Sequence, residues 1–232
     1  MALSVDTGEA ATAAEKVFLR LRHDLKANRF KPDEPLRFDR MRELYETGTA
    51  PLREALSRLS ESGLVVQIGQ KGFRVAPANI RDLRDVVETR RFLEVRAAQE
   101  SVLHGSEDWE AALVASFHRF AKVSRGKPAT AAEREVWEER HTEFHKALIA
   151  GCPSRCISHL WSVVFDQAER YRRFAIEVGH WSSNEYADHK LLLDAAVARD
   201  GDLLCSLLSG HIGVSAERLV AHLGPSLSAS VP

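Results

Sequence analysis

The chain has 232 residues, 44% of them hydrophobic, which is enough to bury a sizeable core in one or two domains. Its formal charge of −1 excludes a chain that is basic throughout, and its three cysteines exclude a disulfide framework, as in a reducing compartment. The apolar runs fall short of the roughly 18 residues of a membrane span, and the N-terminus lacks a secretory-signal pattern. We therefore expect a cytoplasmic protein with no membrane partner.

Charge is distributed unevenly along the chain. Residues 10–76 carry 13 Lys and Arg against 9 Asp and Glu, whereas residues 77–232 carry 19 against 22. We call the first of these segments the head and the second the body. A basic head and a slightly acidic body suit a nucleic-acid contact confined to one end of the chain.

The head is predicted to contain three helices and a β-hairpin. The segment AAEKVFLRLRHDLK has an apolar residue at every fourth position, and RFDRMRELYE offers apolar residues at three-residue spacing. The third helix, PLREALSRLSESG, has Pro51 near its first turn and Gly63 after its last. Two short strands, 64–68 and 73–75, follow and are joined by a turn at GQKG.

From residue 79 onward the chain is predicted to be helical. Six amphipathic segments joined by short loops predict an antiparallel bundle. Ser106 is expected to cap the second segment, and Thr130 with Glu133 to form a capping box at the third.

A second capping box, Ser182 with Glu185, is expected at the fifth segment of the body. The predicted fold is therefore mainly α, with a winged helix-turn-helix domain at residues 10–77 and an all-helical antiparallel bundle at residues 79–223.

Two helices joined by a tight turn and followed by a hairpin are typical of a winged helix-turn-helix. That motif presents one helix to the DNA major groove and the hairpin to the backbone or minor groove. Arg53 and Arg58 lie on the non-apolar side of the third helix, and Lys71 and Arg74 in the hairpin are placed for phosphates. The alternative is a small helical domain with ordinary solvated arginines.

The segment FDRMRELYETGTAPLREALSRLSESGLVVQIGQKGFRVAP resembles the head of GntR-type transcription regulators. The resemblance implies that Arg53 contacts DNA from the recognition helix and that Gly72 lets the wing backbone approach DNA closely. Thr49 stands where the family usually has Arg, and Thr makes one hydrogen bond or a methyl contact where Arg pairs bidentately with guanine. Recognition of the DNA is therefore expected to involve several residues of the head and not one arginine. The predicted DNA-binding residues are Arg40, Arg42, Thr49, Arg53, Lys71, Gly72 and Arg74.

The stretch HTEFHKAL places His141 and His145 on one helical face, about 6 Å apart and within reach of one metal ion. The metalloprotease signature His-Glu-x-x-His needs its glutamate beside the first histidine. Glu143 is two residues on and should point away from a metal held by the pair. Zinc protease chemistry is therefore not expected.

Two further histidines, His189 and His211, each lie inside an otherwise apolar helix. The body is similar to the FCD ligand-binding domain of the FadR-type branch of GntR regulators, whose divalent-metal site has the form Asp-x-x-x-His, then His, then His. This resemblance makes His145, His189 and His211 the strongest ligand candidates, with His141 where many members have Asp. A neutral imidazole there would favour zinc or nickel over harder cations. The alternative is a set of hydrogen-bonded pocket histidines with no metal.

A metal with open coordination positions in a regulator would receive the carboxylate of a small organic acid. Basic side chains nearby would bind its other end. The run DQAERYRRFA contains Arg170, Tyr171, Arg172 and Arg173, and a solvated helix face is the alternative explanation of it. The predicted effector-binding set is Arg90, Arg91, Arg170, Tyr171 and Arg173. The chain also resembles a carbon-starvation regulator subgroup, which implies a dicarboxylate such as glutarate as the effector.

These patterns together predict a homodimeric transcription repressor that binds a pseudo-palindromic operator and is not an enzyme. A metal-dependent hydrolase using the four histidines is the alternative from another class, although no carboxylate is spaced to act as its general base. A protein-interaction module would explain the bundle but would leave the hairpin and the histidines without a purpose.

Overall fold

The computed structural model describes residues 12–69, 72–177 and 184–228, with side chains up to residue 221. The predicted DNA contact Lys71 and the predicted cap Ser182 lie outside the described residues. The chain divides into two units, Met1–Ala78 and Asn79–Pro232.

The first unit is a winged helix-turn-helix, which confirms the predicted fold of the head. Its elements are α1 (Ala13–Lys26), α2 (Phe38–Tyr45), α3 (Thr49–Glu61), β1 (Val65–Gln67) and β2 (Phe73–Val75). The two strands pair antiparallel with Val66 opposite Arg74, so the first strand is shorter than the 64–68 expected.

The core of this unit lies between α1 and α3. The four-residue spacing of Val17, Leu21 and Leu25 buries one face of α1, and Leu52 and Leu56 on α3 are fully buried against the same core. Burying each such side chain contributes about 1.5–3 kcal/mol. The opposite face of α3 is consequently left exposed.

The second unit is all-helical among the residues that the structure describes, which confirms the predicted bundle. Its elements are α4 (Ile80–His104), α5 (Glu107–Ala121), α6 (Ala131–Leu148), α7 (Arg155–Glu177), α8 (Glu185–Val197) and α9 (Gly201–Ser228). The long helix α4 packs against both α7 and α9, and α8 packs against α5 and α9.

Two of the three predicted helix starts are confirmed. The Ser106 side chain accepts a hydrogen bond from the backbone of Trp109, and the capping box of Thr130 and Glu133 forms in both directions. The third prediction was wrong, because α8 begins at Glu185 with Asn184 as its N-cap, which places Glu185 one residue after the cap instead of three.

One segment of α9, Gly201–Ala221, is long and apolar enough by composition alone to cross a membrane. The expectation that the chain has no segment of that kind was therefore wrong. Leu204, Leu208 and Ile212 recur at four-residue spacing and are buried, as in a helix that packs one face into a protein core.

Candidate functional site

Four histidines from three helices meet in the interior of the second unit. The Nε2 atom of His145 on α6 lies 3.2 Å from Nε2 of His141 on the same helix and 3.2 Å from Nε2 of His189 on α8. His211 on α9 completes the group, and one nitrogen from each ring lies within 4.8 Å of those from the others. The structure therefore brings together all four predicted ligands.

The local sequence of α6 explains why two of these histidines point inward. Trp137, His141, His145 and Leu148 follow one another at spacings of four, four and three residues and are all buried. They form the apolar stripe of an amphipathic helix in which two positions are imidazoles.

Hydrogen bonds fix the orientation of two of the rings. Nδ1 of His145 lies 2.6 Å from Oε1 of Glu94, and Nδ1 of His189 lies 2.7 Å from the backbone oxygen of Glu185. Both partners are acceptors, so each Nδ1 carries the proton and donates it, which leaves the lone pair of each Nε2 directed into the cluster. This is the arrangement by which carboxylates and carbonyls orient histidine ligands of metals.

Burial also sets the charge of the cluster. It lowers the pKa of His141, His145 and His189 below the usual value, and it lowers the pKa of His211 to about 3. Neutral imidazole is the form that binds metals. Burial alone would raise the pKa of Glu94, but the charge of Arg90 and the hydrogen bond donated by His145 lower it, so this carboxylate stays ionised.

The residues present fit a borderline-soft divalent cation. Three or four neutral imidazole nitrogens are a donor set that zinc and nickel prefer to magnesium or calcium. The rings of Phe120 and Phe165 lie 4.5–6.4 Å from three of the histidines and make this side of the cluster apolar. The buried Nδ1 of His141 has no hydrogen-bond partner among the described residues, so no such contact fixes the orientation of this ring.

A cavity with about 60 Å³ of room for water-sized groups adjoins the cluster. His141 and His211 form part of its wall, and three arginines line it as well, namely Arg90, Arg172 and Arg218. Burial raises the pKa of Glu185, which also lines the cavity, to about 7. The cavity thus combines candidate metal ligands with cationic groups that suit an anionic molecule.

Two of these arginines are held by buried glutamates. Arg90 donates to Glu94 at 2.7 Å, and Arg172 donates to Glu138 through three contacts of 2.5–3.3 Å. Such pairs fix the direction of the guanidinium groups before any ligand arrives.

The other residues of the predicted effector set lie elsewhere. Arg91 is on the surface, paired with Glu88. Arg173 binds Glu135 and Glu169, and Arg170 packs over the ring of Tyr171.

Tyr171 donates a hydrogen bond at 2.6 Å to Asp82, near the start of α4, and so joins α7 to α4. Of the predicted effector set, the structure places Arg90 alone on the cavity wall.

Sequence reasoning missed Arg172 as a cavity residue, although the signal was present. Trp161, Phe165 and Ala168 are buried on α7 at spacings of four and three residues, and Arg172 follows four residues later on the same face. The neighbouring basic residues fall on other faces of the helix. Arg218 similarly lies seven residues, or two turns, beyond His211 on α9.

Glu143 points away from the histidines, as expected. Its carboxylate binds Arg140 at 2.8 Å and Arg119 at 3.4 Å on the surface of the bundle. It is therefore unable to act as a general base at a metal held by the cluster.

In the first unit, α3 presents Thr49 and Arg53 on its exposed face, and the Arg53 guanidinium lies 5.0 Å from the ring centre of Phe38. Arg42 is exposed at the other side of the turn. Gly72, directly before β2, has a φ of +105°, which residues with a side chain rarely adopt.

Three further arginines of the head make ion pairs. Arg40 binds Glu34 at 2.5 Å, Arg74 lies 4.0 Å from Asp33, and Arg58 binds Glu15 on α1. Arg58 thus ties α3 to α1, whereas a DNA contact through Arg40 or Arg74 would have to replace the acidic partner.

Comparison with known proteins gives two family matches that follow the same division. Residues 13–75 match the gntR family of bacterial regulatory proteins, and residues 85–214 match the FCD domain. The chain belongs to the GntR family of transcription regulators. It is 35% identical over 199 residues to the uncharacterized HTH-type transcriptional regulator BphR of Paraburkholderia xenovorans, covering 85% of this chain and 81% of that protein.

A second relative of this GntR protein is the HTH-type transcriptional repressor GlaR of Escherichia coli, 32% identical over 198 residues, with 83% of this chain and 89% of that protein covered. The solved structure of E. coli McbR/YncC has the same fold, with a TM-score of 0.77 at 18% identity over 91% of this chain and 99% of that one. The chain is therefore a DNA-binding transcription regulator with an FCD domain and not an enzyme, and these matches give no support to the hydrolase alternative.

Proposed function

We propose that this GntR protein is a cytoplasmic, homodimeric repressor whose FCD domain senses a small carboxylic acid beside a bound divalent metal. The observation that carries the proposal is the meeting of His141, His145, His189 and His211 at one edge of a cavity lined by three arginines. Neutral nitrogen ligands and cationic side chains on one cavity wall suit a metal and an anion together.

The metal would be held by the four histidines, with His145 and His189 as the best-oriented ligands. Zinc or nickel fits the donor set best. When bound, the metal supplies a Lewis-acidic position that accepts a carboxylate oxygen.

Arg172 and Arg90 would bind the remaining negative charge of the acid. Each is held in a fixed direction by a buried glutamate, so a dicarboxylate that reaches both the metal and these guanidinium groups makes contacts that a monocarboxylate bound at the metal lacks. The small size of the cavity favours a short acid over a fatty acid.

The head would bind a pseudo-palindromic operator as one half of a dimer, with α3 in the major groove and the wing on the backbone. Thr49, Arg53 and Arg42 are exposed for this contact, and Arg40, Arg74 and Gly72 belong to the same unit. The contact expected from Lys71 rests on the sequence alone. Repression is supported by the similarity to GlaR of E. coli, which is a transcriptional repressor. The acid would change DNA affinity only by the ratio of its affinities for the DNA-bound and free forms.

A thermal-shift screen tests the proposal. Purified protein is stripped with a chelator, reloaded with Zn²⁺ or Ni²⁺, and melted with mono- and dicarboxylic acids of two to six carbons. We expect a metal-dependent rise in melting temperature and a further rise with a dicarboxylate, because a ligand of the folded state stabilises it in proportion to saturation. Identical melting curves with chelator and with metal would overturn the metal site.

A His159→Ala variant is the control for the screen, since this histidine is exposed on α7. It should respond as the wild type does. A His189→Ala variant should lose the response to metal. A response that survives in His189→Ala but is lost in His159→Ala would show that it comes from surface histidines.

A further inference from the structure

The carboxyl group of Glu185 is mostly buried and accepts no hydrogen bond from the described residues. Its side chain is 16% exposed and lines the cavity beside the histidine cluster. Nδ1 of His189 lies 3.8 Å from Oε2 of Glu185, which is too far for a hydrogen bond, and its proton goes to the backbone oxygen of Glu185 at 2.7 Å. In the part of the chain that the structure describes, no Lys or Arg nitrogen is paired with this carboxyl group either.

The other buried glutamates of the site have partners. Glu94 accepts hydrogen bonds from three side chains, and Glu138 accepts them from Arg172. Burial of a carboxyl group without a hydrogen bond costs free energy, and buried polar groups in native proteins nearly always have a partner. A molecule in the cavity is therefore the group that can supply the donor that Glu185 lacks.

The helix end does not account for the burial of Glu185. Glu185 and Asp188 both lie in the first turn of α8, where the helix dipole stabilises a negative charge. An acidic side chain at the surface gains this stabilisation without being removed from water. The burial of Glu185 beside the cavity thus points to the cavity and not to the helix end.

Glu185 lies close to the place where a carboxylate would bind the metal. It precedes His189 by four residues on α8, one turn or about 6 Å along the axis. On the neighbouring helix α9, Ser215 and Arg218 follow His211 by four and seven residues and line the same cavity. An acid held at the histidines by one carboxylate would therefore have its carbon chain within reach of Glu185.

We propose that Glu185 selects acids that carry a hydroxyl group, so that the effector is a hydroxy-substituted dicarboxylic acid. The inference rests on the proposed acid sensor and goes beyond it by naming a specificity-determining residue and the substituent that it binds. A carboxyl oxygen accepts a proton from a hydroxyl group in both the ionised and the protonated form, so the contact does not require one charge state of Glu185. An unsubstituted diacid offers this group no donor.

An ammonium group would also donate to Glu185, but the rest of the cavity disfavours it. Arg90, Arg172 and Arg218 line the wall, and the proposed metal adds two further positive charges. A hydroxyl group makes the same hydrogen bond without bringing another cation among these groups. The cavity therefore favours a hydroxy acid over an amino acid.

Isothermal titration calorimetry with matched acids tests the inference on the full-length protein, both Zn²⁺-loaded and metal-free. The acids are succinate with both enantiomers of malate, and glutarate with 3-hydroxyglutarate, so that the members of each set differ by one hydroxyl group. Wild type should bind at least one hydroxy acid about tenfold or more tightly than its unsubstituted counterpart, the usual effect of a hydrogen bond to a charged group. No advantage for any hydroxy acid would overturn the inference and leave the acid sensor in place.

A leucine variant assigns the preference to Glu185. Glu185→Leu removes the acceptor, so the hydroxy acid and its counterpart should then bind within about twofold of each other. The unsubstituted acid should bind as tightly as to wild type or more tightly, because a carboxyl group no longer faces the anion. A purely structural role would weaken both acids equally, and that result would overturn the inference. Asp194→Leu removes an exposed carboxylate from the same helix and, as the matched control, should keep the wild-type preference.

A glutamine variant covers the case in which circular dichroism shows that Glu185→Leu is unfolded. Glu185→Gln keeps the size of the side chain but adds an amide donor, so it should bind the unsubstituted acid more tightly and show a smaller preference. A preference as large as that of wild type in a folded Gln or Leu variant would overturn the role of Glu185.

Two further results are decisive in the wild type. Tighter binding of aspartate than of malate would assign an ammonium group to Glu185 and overturn the hydroxy acid. Absence of binding by every acid, with and without Zn²⁺, would overturn both this inference and the proposed acid sensor.

Discussion

The Nε2 atoms of His145 and His189 lie 3.2 Å apart, although the two residues are 44 positions apart in the chain and belong to different helices. Because each ring is neutral and carries its proton on Nδ1, two lone pairs face each other at this distance with no proton between them. A third nitrogen, from His141, lies equally close to His145. A cation that accepts all of these lone pairs is the simplest partner for such a group.

The carboxylate of Glu94 should control metal affinity without touching the metal. It accepts the Nδ1 proton of His145 and also hydrogen bonds from Arg90 and Trp161. Glu94→Gln should reduce Zn²⁺ affinity about 10–100-fold, the usual effect of removing such a partner. Isothermal titration calorimetry measures this change, and an affinity equal to wild type would contradict the role.

The candidate ligands His145 and His141 should contribute unequally to Zn²⁺ affinity. His145→Ala removes the best-oriented nitrogen and should abolish tight Zn²⁺ binding. His141→Ala removes the ring whose Nδ1 has no hydrogen-bond partner among the described residues, so it should cost less. Competition with a chromogenic chelator ranks the two variants, and the reverse order would show that His141 is the primary ligand.

Removing one partner of the buried ion pair of Arg172 and Glu138 should destabilise the fold strongly, whereas replacing both partners by apolar residues should destabilise it little. Glu138 is 1% exposed, so Arg172→Met leaves a buried carboxylate without its partner and should destabilise the fold by about 3–5 kcal/mol. The double variant R172M/E138L should recover most of that loss, because an apolar pair replaces the ionic one. Urea unfolding measures both variants, and equal losses would mean that packing, and not charge, dominates at this position.

Tyr171 should contribute to the stability of the bundle and not to binding of the acid. Its hydroxyl group donates to Asp82 and lies away from the cavity, so Tyr171→Phe should lower the free energy of unfolding by about 1 kcal/mol. The thermal shift produced by a binding acid should stay the same as in wild type. If Tyr171→Phe abolished the thermal shift produced by the acid without changing the free energy of unfolding, Tyr171 would instead be an effector-binding residue.

In the head, Arg53→Ala should weaken operator binding by about 1–3 kcal/mol if Arg53 reads a base, or reduce the salt dependence by about one charge if it binds a phosphate. Fluorescence anisotropy at several salt concentrations separates these cases. Arg119→Ala, on α5 of the second unit, is the control and should leave binding unchanged. Unaltered binding by Arg53→Ala would remove that residue from the interface.

The pattern of the sequence was sufficient for the element types and for the histidines. Four-residue apolar spacing identified the buried face of α1, the spacing of His141 and His145 placed both on one face of α6, and side-chain caps located the starts of α5 and α6. These signals are local, because they depend on neighbours within one helical turn.

The parts that were missed depend on contacts between distant segments. Glu94 contacts His145 across 51 positions, and Arg172 contacts Glu138 across 34, so no local spacing identifies either pair. Arg91, Arg170 and Arg173 were selected for their charge, but the packing of α4 and α7 turns each of them away from the cavity. The position of Arg172 on the buried face of α7 predicted a cavity residue better than the number of positive charges in the run did.

The central claim is that the head binds a specific duplex and that the histidine-lined cavity controls this binding. The most direct measurement is competition binding, at moderate salt, of a labelled DNA fragment from upstream of the protein's own gene against random fragments of equal length. Metal-loaded protein is used, with and without the acid that raises its melting temperature. We predict a preference of at least about a thousandfold for the upstream fragment and a clear change in it when the acid is added. Equal affinity for both fragments, with or without the acid, would contradict the account.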